Sequence, residues 1–185
     1  MNKILLILFL LFPLFYLLLK LFYFDDVADP IKYIYTITGF SSLILLLITT
    51  SLSLIKKYLN LIKYRKIVGL SGFFYAFLHF LNFIILDMQV DFDSILKESF
   101  EKPFIFLGMS SFLLLLFMAF TSSSALFKKY HKYHKVIYLV LVLTTIHFIM
   151  AQKSLSILEI FFVGIILLIG FFKLLQQIIN INNLN

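Results

Sequence analysis

The chain has 185 residues, of which 62% are hydrophobic and only 14% are charged, and it contains no cysteine. Soluble domains are roughly 45–50% apolar and about 25% charged, so this composition predicts an integral membrane protein. The missing thiol excludes iron–sulfur ligation, thiolate catalysis and disulfides. A net charge of +7 would suggest nucleic-acid binding in a soluble protein. Here the basic residues are concentrated between apolar segments, as expected for the cytoplasmic loops of a membrane protein, and we expect no nucleic-acid partner.

Six apolar segments are long enough to cross a bilayer, which takes about 20 mainly apolar residues. They are 4–24, 36–55, 67–86, 104–124, 136–152 and 155–175. The first is interpreted as a retained helix, kinked at Pro13, because its apolar run exceeds the roughly 7–15 residues of a signal peptide. We therefore predict an all-α integral membrane protein, a bundle of six transmembrane helices that forms a single domain over 1–185.

Charged residues between these segments alternate in sign. The basic ones are Lys56, Lys57, Lys63, Arg65 and Lys66 in one gap, and Lys128, Lys129, Lys132 and Lys135 in another. The acidic ones are Asp25, Asp26 and Asp29, and then Asp87, Asp91, Asp93, Glu98 and Glu101. Because basic loops stay in the cytoplasm, six spans place both termini there and the acidic loops outside. No loop carries a Gly-rich phosphate motif or is long enough to form a domain, so the chemistry is expected in the bundle or on a partner.

Two histidines are predicted at similar depth in the membrane. His79 lies eight residues before Asp87, and His147 lies six residues before Lys153. At about 1.5 Å of rise per residue they lie roughly 12 and 9 Å below the outer surface. Two imidazoles on different helices at matching depth can ligate one haem iron from opposite sides. A structural or proton-relay pair is the alternative.

Small residues share a helix face with His79. Gly69, Gly72 and Ala76 precede it, at successive spacings of three, four and three residues, which places them on one side of the helix. Such a face leaves room for a flat macrocycle. The alternative is that it lets two helices pack closely.

His134 is the third candidate. It precedes His147 by thirteen residues, or roughly 20 Å along a helix, and points in a different direction. It is interpreted either as an inner-side ligand or as a solvated loop histidine, and His131 as solvated. The predicted depths of His79 and His134 do not converge on the single tetrahedral point that a zinc site requires.

Several short motifs occur together, in order, between about residues 29 and 153. They are Ala28-Asp29-Pro30, Thr38-Gly39, Arg65-Lys66, Gly69-Leu70, His79, Lys102-Pro103-Phe104, Gly108, Ala119-Phe120-Thr121-Ser122, His134, Tyr138-Leu139, Ile146-His147-Phe148 and Lys153. With these motifs the chain resembles the MsrQ (formerly YedZ) family, the haem-binding membrane subunits of the bacterial periplasmic methionine sulfoxide reductase system. That family belongs to the ferric-reductase-like transmembrane group.

The resemblance implies an electron-transfer subunit, rather than the catalytic one, in the bacterial inner membrane. It implies b-type haem with His79, His134 and His147 in the ligand positions. It further implies that electrons come from membrane quinol, that flavin mononucleotide (FMN) is associated with the subunit, and that a periplasmic molybdopterin subunit reduces methionine sulfoxide in oxidised proteins. Two alternatives remain: a stand-alone transmembrane ferric or cupric metalloreductase, and a non-redox transporter or assembly protein.

Overall fold

The computed structural model describes residues 2–24, 27–55, 61–152 and 156–182, which contain no strand. The α-helices of this part are α1 (Lys3–Leu10), α2 (Phe12–Leu19), α3 (Pro30–Leu54), α4 (Arg65–Leu81), α5 (Phe92–Glu101), α6 (Pro103–Phe120), α7 (Ser124–Tyr130), α8 (Ile137–Ala151) and α9 (Ile157–Asn182). Short π-helical segments extend α2 over Lys20–Phe24 and α4 over Asn82–Asp87. The predicted all-α fold is confirmed.

Among the described residues, five helical stretches are long and apolar enough to cross a membrane. They are Lys3–Phe24, Pro30–Ser53, Ile62–Asp87, Pro103–Phe120 and Ser124–Ala151. The chain is therefore a multi-pass membrane protein. From residue 157 onward, the sixth predicted segment, 155–175, coincides with the first 19 of the 26 residues of α9, within which Glu159–Phe172 is a shorter apolar helix. Asp25, Asp26, Lys56 and Lys57 of the charge analysis lie outside the described residues, as does Lys153, from which the depth of His147 was counted.

Two segments predicted as loops, 87–103 and 125–135, are largely helical. The first contains α5, and the second contains most of α7 and a 3-10 helix over His131–Val136. Their charged residues suggested loops, but α5 and α7 each begin at a residue whose side chain caps the helix, Asp91 and Ser123. Predicting loops here was wrong, because charge content alone does not distinguish an exposed helix from a loop.

The cap of α5 is Asp91. Its side chain accepts hydrogen bonds from the backbone N–H of Asp93, at 3.2 Å, and from the Ser94 hydroxyl, at 2.5 Å. The Ser94 hydroxyl holds the pKa of the Asp91 carboxyl below its ordinary value. Asp91 thus satisfies a backbone donor that the first turn of a helix leaves unpaired.

The helices meet at two chemically different ends. The acidic end comprises the start of α3, the end of the π-helical segment after α4, all of α5, the start of α6 and the end of α8. It carries Asp29, Asp87, Asp91, Asp93 and Glu101. The basic end comprises the start of α4 and the α6–α8 connection, with Arg65, Lys66, Lys128, Lys129 and Lys135.

The contact between α3 and α4 uses the small residues of α4. A Cβ atom on Gly72 would lie 3.3 Å from the Leu45 Cβ, and one on Gly69 would lie 3.4 Å from the Thr49 side chain. The Ser42 hydroxyl donates to the Gly72 carbonyl at 3.0 Å. Gly69 and Gly72 thus let two helices pack closely, and the prediction that they leave room for a macrocycle is wrong.

A tyrosine from α4 bridges the junction of α1 and α2. Tyr75 is fully buried; its hydroxyl donates to the Leu10 carbonyl at 2.8 Å and accepts from the Leu14 N–H at 3.2 Å. In a continuous helix these two backbone groups would bond to each other. The interruption at Leu11, two residues before Pro13, is therefore a side-chain insertion into the backbone ladder, a recognised cause of kinks.

Replacing Tyr75 with phenylalanine tests this junction. Tyr75→Phe leaves one buried carbonyl and one buried N–H without the bridging hydroxyl, so we expect it to lower the free energy of unfolding by about 1–3 kcal/mol. The measurement is denaturant unfolding of the detergent-solubilised protein. Tyr133→Phe, whose side chain is 63% exposed, is the control and should change little; equal stability of the two variants would contradict the bridging role.

Candidate metal centre

Two of the three predicted site histidines face each other across the bundle. His79 lies near the end of α4 and His147 near the end of α8, and their ring centroids are 6.2 Å apart with an angle of 85° between the ring planes. Both rings are half-buried. The structure therefore brings together, at the acidic end, two residues that are 68 positions apart in the sequence.

The His79 ring is held by α3. Its Nδ1 lies 3.2 Å from the Tyr35 carbonyl oxygen and 3.3 Å from the Thr38 hydroxyl. A carbonyl can only accept a hydrogen bond, so Nδ1 carries the proton. The Thr38 hydroxyl donates to the Ile34 carbonyl at 2.6 Å, which leaves its oxygen able to accept from the same Nδ1–H.

Tyr35 also connects His79 to the acidic end. Its ring contacts the His79 ring edge-on, with centroids 5.0 Å apart, and its hydroxyl donates to the Asp87 carboxylate at 3.1 Å. Asn82, in the π-helical turn after His79, donates to the Ile31 carbonyl at 3.2 Å. π-Helical turns occur frequently at functional sites, and the bonds of Asn82 and Asp87 fix this one against the start of α3 just beyond His79.

The His147 ring is held by α6 in the same manner. Its Nδ1 donates to the Phe104 carbonyl at 2.6 Å, and the Phe104 ring lies beside it at a centroid distance of 6.1 Å. Phe104 is in the first turn of α6, directly after Pro103. Each histidine thus uses Nδ1 to bind a backbone carbonyl of a neighbouring helix.

Two glycines make space for the rings. A Cβ atom on Gly39 of α3 would lie 3.0 Å from Cε1 of His79, and one on Gly108 of α6 would lie 2.9 Å from Cε1 of His147. Real Cβ atoms are very rarely found closer than 3.0 Å to such a neighbour. The rings occupy their present positions because both facing residues are glycine.

The donor atoms of the pair suit a metal held from two sides. Among the residues that the structure describes, every hydrogen bond of the two rings is made through Nδ1, so each Nε2 keeps its lone pair. A backbone carbonyl on the second ring nitrogen is the usual arrangement of metal-ligating histidine. With metal–nitrogen bonds of about 2.0 Å, two imidazoles on opposite sides of one ion have centroids about 6 Å apart.

This donor set fits a haem iron with two histidine ligands. It does not fit tetrahedral zinc, which needs three or four ligands: within the described residues, no group of three or more His, Asp or Glu could hold a metal ion.

The structure places His134 away from this pair, at the basic end. Its Nε2 lies 2.9 Å from the Thr121 hydroxyl of α6, and its ring contacts the Phe127 ring at a centroid distance of 4.9 Å. The Thr121 hydroxyl itself donates to the Phe117 carbonyl at 2.8 Å, so His134 is the donor in their bond. His131 is exposed, and its Nδ1 bonds the Lys128 carbonyl at 3.1 Å.

Comparison with known proteins identifies the family of the chain. Residues 37–149 match the family described as the ferric reductase like transmembrane component. This region is more than half of the chain and contains all three candidate histidines, so the chain belongs to that family.

Curated relatives are similar over much of the same region. One is the protein-methionine-sulfoxide reductase heme-binding subunit MsrQ of Agrobacterium fabrum, 33% identical over 117 residues, which are 60% of this chain and 54% of the relative. The subunits of the same name from Brucella ovis and Brucella suis biovar 1 are each 32% identical over 133 residues, 69% of this chain and 60% of the relative. The chain thus spans less than two-thirds of these relatives. No solved structure matches it.

Sequence reasoning missed the groups that orient the two rings. The acceptors are the main-chain carbonyls of Tyr35 and Phe104, which any residue would supply, so residue type gives no signal. Gly39 and Gly108 were noted only as parts of a resemblance. One signal was available: Gly39 and Gly108 lie near the outer ends of their predicted spans, 36–55 and 104–124, as the two histidines do in theirs.

Adding a methyl group at Gly108 tests how tightly the His147 ring is held. In Gly108→Ala the ring must move away from the new Cβ and weaken its bond to the Phe104 carbonyl. We expect a loss of about 1–3 kcal/mol in unfolding free energy, the usual cost of overpacking, measured by thermal or denaturant unfolding in detergent.

The matched control is Gly164→Ala in α9, because nothing lies within 4 Å of a Cβ built there. Alanine at an uncrowded helical position is neutral or stabilising by up to about 1 kcal/mol. A Gly108→Ala variant as stable as this control would show that the ring is not confined.

Proposed function

We propose that the chain is a haem-binding electron-transfer subunit of the bacterial inner membrane, which takes electrons from membrane quinol. It passes them to a periplasmic molybdopterin subunit that reduces methionine sulfoxide in oxidised proteins. The names of the curated relatives, heme-binding subunits of protein-methionine-sulfoxide reductase, support this assignment. As in the resembled family, the proposal includes FMN on the membrane subunit.

The observation that carries the proposal is the His79–His147 pair. Two imidazoles lie on different helices with 6.2 Å between their centroids, and both Nδ1 atoms bond backbone carbonyls. This arrangement supports His79 and His147 as the two residues that would hold one haem iron. Haem b supplies reversible one-electron chemistry, with a potential set by its ligands and their burial. Tyr35 and Phe104 orient the imidazoles, and the glycines beside the rings keep their space.

The charge distribution gives the proposed direction of transfer. Basic loops remain cytoplasmic, which places the basic end inside and the acidic end, with the histidine pair, on the periplasmic side. An even number of spans is required for both termini to be cytoplasmic, and α9 serves as the sixth: it has 26 residues, enough to cross a core of about 30 Å.

His134 is proposed as a further, inner ligand on the strength of the family resemblance. It lies on the cytoplasmic side in this orientation, near the Thr121 hydroxyl. To bind iron through Nε2, it has to exchange that hydroxyl for the metal. Electrons entering from the inner side would then pass His134 first and the His79–His147 pair second.

Alanine variants of the histidines test the ligand assignment. We expect His79→Ala and His147→Ala each to lower haem affinity more than tenfold, because removing even a group that only hydrogen-bonds a metal ligand costs about 10–100-fold. The measurement is the reduced-minus-oxidised absorbance spectrum and haem content of the purified protein. His131→Ala is the matched control, since His131 is exposed, and should keep its haem.

Two outcomes would contradict these assignments. Retention of a full b-type spectrum in both His79→Ala and His147→Ala would refute the assignment of these two histidines as haem ligands. An unchanged haem content and spectrum in His134→Ala would remove the inner ligand alone, because the other two histidines are separate from it.

The family description favours one alternative, a metalloreductase that reduces ferric or cupric ions directly at the outer face. Both functions use haem, so the acceptor distinguishes them. We expect dithionite-reduced protein in vesicles to reoxidise slowly with ferric chelates and rapidly with the oxidised molybdopterin subunit, measured by stopped-flow absorbance. Rapid reoxidation by chelated metal without any partner would support the metalloreductase instead.

A further inference from the structure

Helix α5 has three distinct faces. Ile95 and Ser99, each 7% exposed, pack against the bundle. A line of apolar side chains spaced by four residues is open to the surroundings: Phe92 is 72% exposed, Leu96 58% and Phe100 74%. The third face is charged and exposed, with Asp93, Lys97 and Glu101.

The order of these faces around the helix is informative. At 3.6 residues per turn, the apolar line lies between the two buried residues on one side and the charged residues on the other. A helix lying flat on a bilayer beside a membrane protein needs this order: protein at its side, lipid beneath and water above. A helix exposed only to water has no use for three large apolar side chains in a row.

The apolar line continues onto a membrane-spanning surface. The rings of Phe100 and Phe106 are in contact, with centroids 6.3 Å apart, and Phe106 is in the first turn of α6 and 49% exposed. Further along α6, Leu113, Phe117 and Phe120 are exposed on the same face. Because α6 crosses the membrane, this face contacts acyl chains, and the line on α5 is its extension at the acidic end.

We propose that α5 is an interfacial helix whose Phe92–Leu96–Phe100 line is embedded in the bilayer at the acidic end of the bundle. Its ten residues span about 15 Å, too short to cross a core of about 30 Å. Interfacial helices lie in the membrane plane with the apolar face buried about 5–10 Å into the headgroup and acyl boundary. The occupant of this surface is lipid, and the charged face remains in water.

The embedded helix is joined to the histidine pair by a short, well-bonded corner. Lys102 is the single residue between α5 and α6; its N–H donates to the Glu98 carbonyl, and its own carbonyl accepts from the Phe106 N–H, both at 3.1 Å. Lys102 and Glu98 also form an ion pair. Two residues later, the Phe104 carbonyl holds His147, so the lipid contact of α5 fixes the depth of that carbonyl.

The chain contains no tryptophan, so single-tryptophan variants report on each face of α5 separately. The full-length protein carrying Phe100→Trp is reconstituted in phosphatidylcholine vesicles, with or without acyl chains brominated near the headgroup. We expect brominated lipid to lower its fluorescence about twofold, and aqueous acrylamide to have little effect. Lys97→Trp, three residues away on the charged face, is the matched control. Acrylamide should quench its fluorescence, and brominated lipid should have little effect.

Three results would overturn the proposal. Phe100→Trp quenched by acrylamide but not by brominated lipid means that the line faces water and is open to a soluble partner. Resistance to both quenchers means that protein covers it, either a partner or a second copy of this chain. If Phe100→Trp does not fold, quenching by brominated lipid and by acrylamide is measured on Phe92→Trp, which lies on the same line. Quenching of that variant by acrylamide but not by brominated lipid would equally refute lipid contact.

Discussion

The arrangement of the site depends on two hydrogen bonds that cross between helices, from His79 Nδ1 to the Tyr35 carbonyl and from His147 Nδ1 to the Phe104 carbonyl. In the membrane interior an unpaired ring N–H costs free energy, so each bond both stabilises its ring and sets the ring's direction. Once Nδ1 is committed, only Nε2 can bind a ligand. The two bonds therefore determine the tautomer, the orientation and the available lone pair of each histidine.

The surrounding packing supports these bonds. α3 approaches α4 closely at Gly69 and Gly72, which brings the Tyr35 carbonyl within reach of His79. Gly39 and Gly108 leave each ring beside the backbone of the helix that holds it. At the same acidic end, α5 and the backbone bonds of Lys102 determine where α6 begins. Glycine therefore has two separate uses in this bundle, helix contact within the α3–α4 pair and ring accommodation at the histidines.

The amino-acid sequence predicted the helical membrane fold and the two facing histidines, because hydropathy and residue spacing along a helix give depth directly. It did not predict which helices adjoin each histidine, because the depth of a residue in the membrane does not specify how its helix is rotated relative to the neighbouring helices. The sequence therefore left two interpretations of Gly69 and Gly72 open, room for a macrocycle or close helix packing, and the structure shows them packed against α3. The residues of α5 were predicted as a loop because their charges were counted without considering the helical spacing of the charged and apolar residues. His134 is proposed as a ligand on the resemblance alone, and its bond to Thr121 could not be derived from spacing.

Electron paramagnetic resonance of the oxidised, haem-loaded full-length protein tests most directly whether His79 and His147 are paired as axial ligands. With an angle of 85° between the two ring planes, the pairing predicts a strongly anisotropic low-spin ferric signal, typical of two histidines with nearly perpendicular planes. That signal should disappear in His147→Ala. A high-spin signal alone in the unsubstituted protein, or a low-spin signal unchanged in His147→Ala, would contradict the pairing.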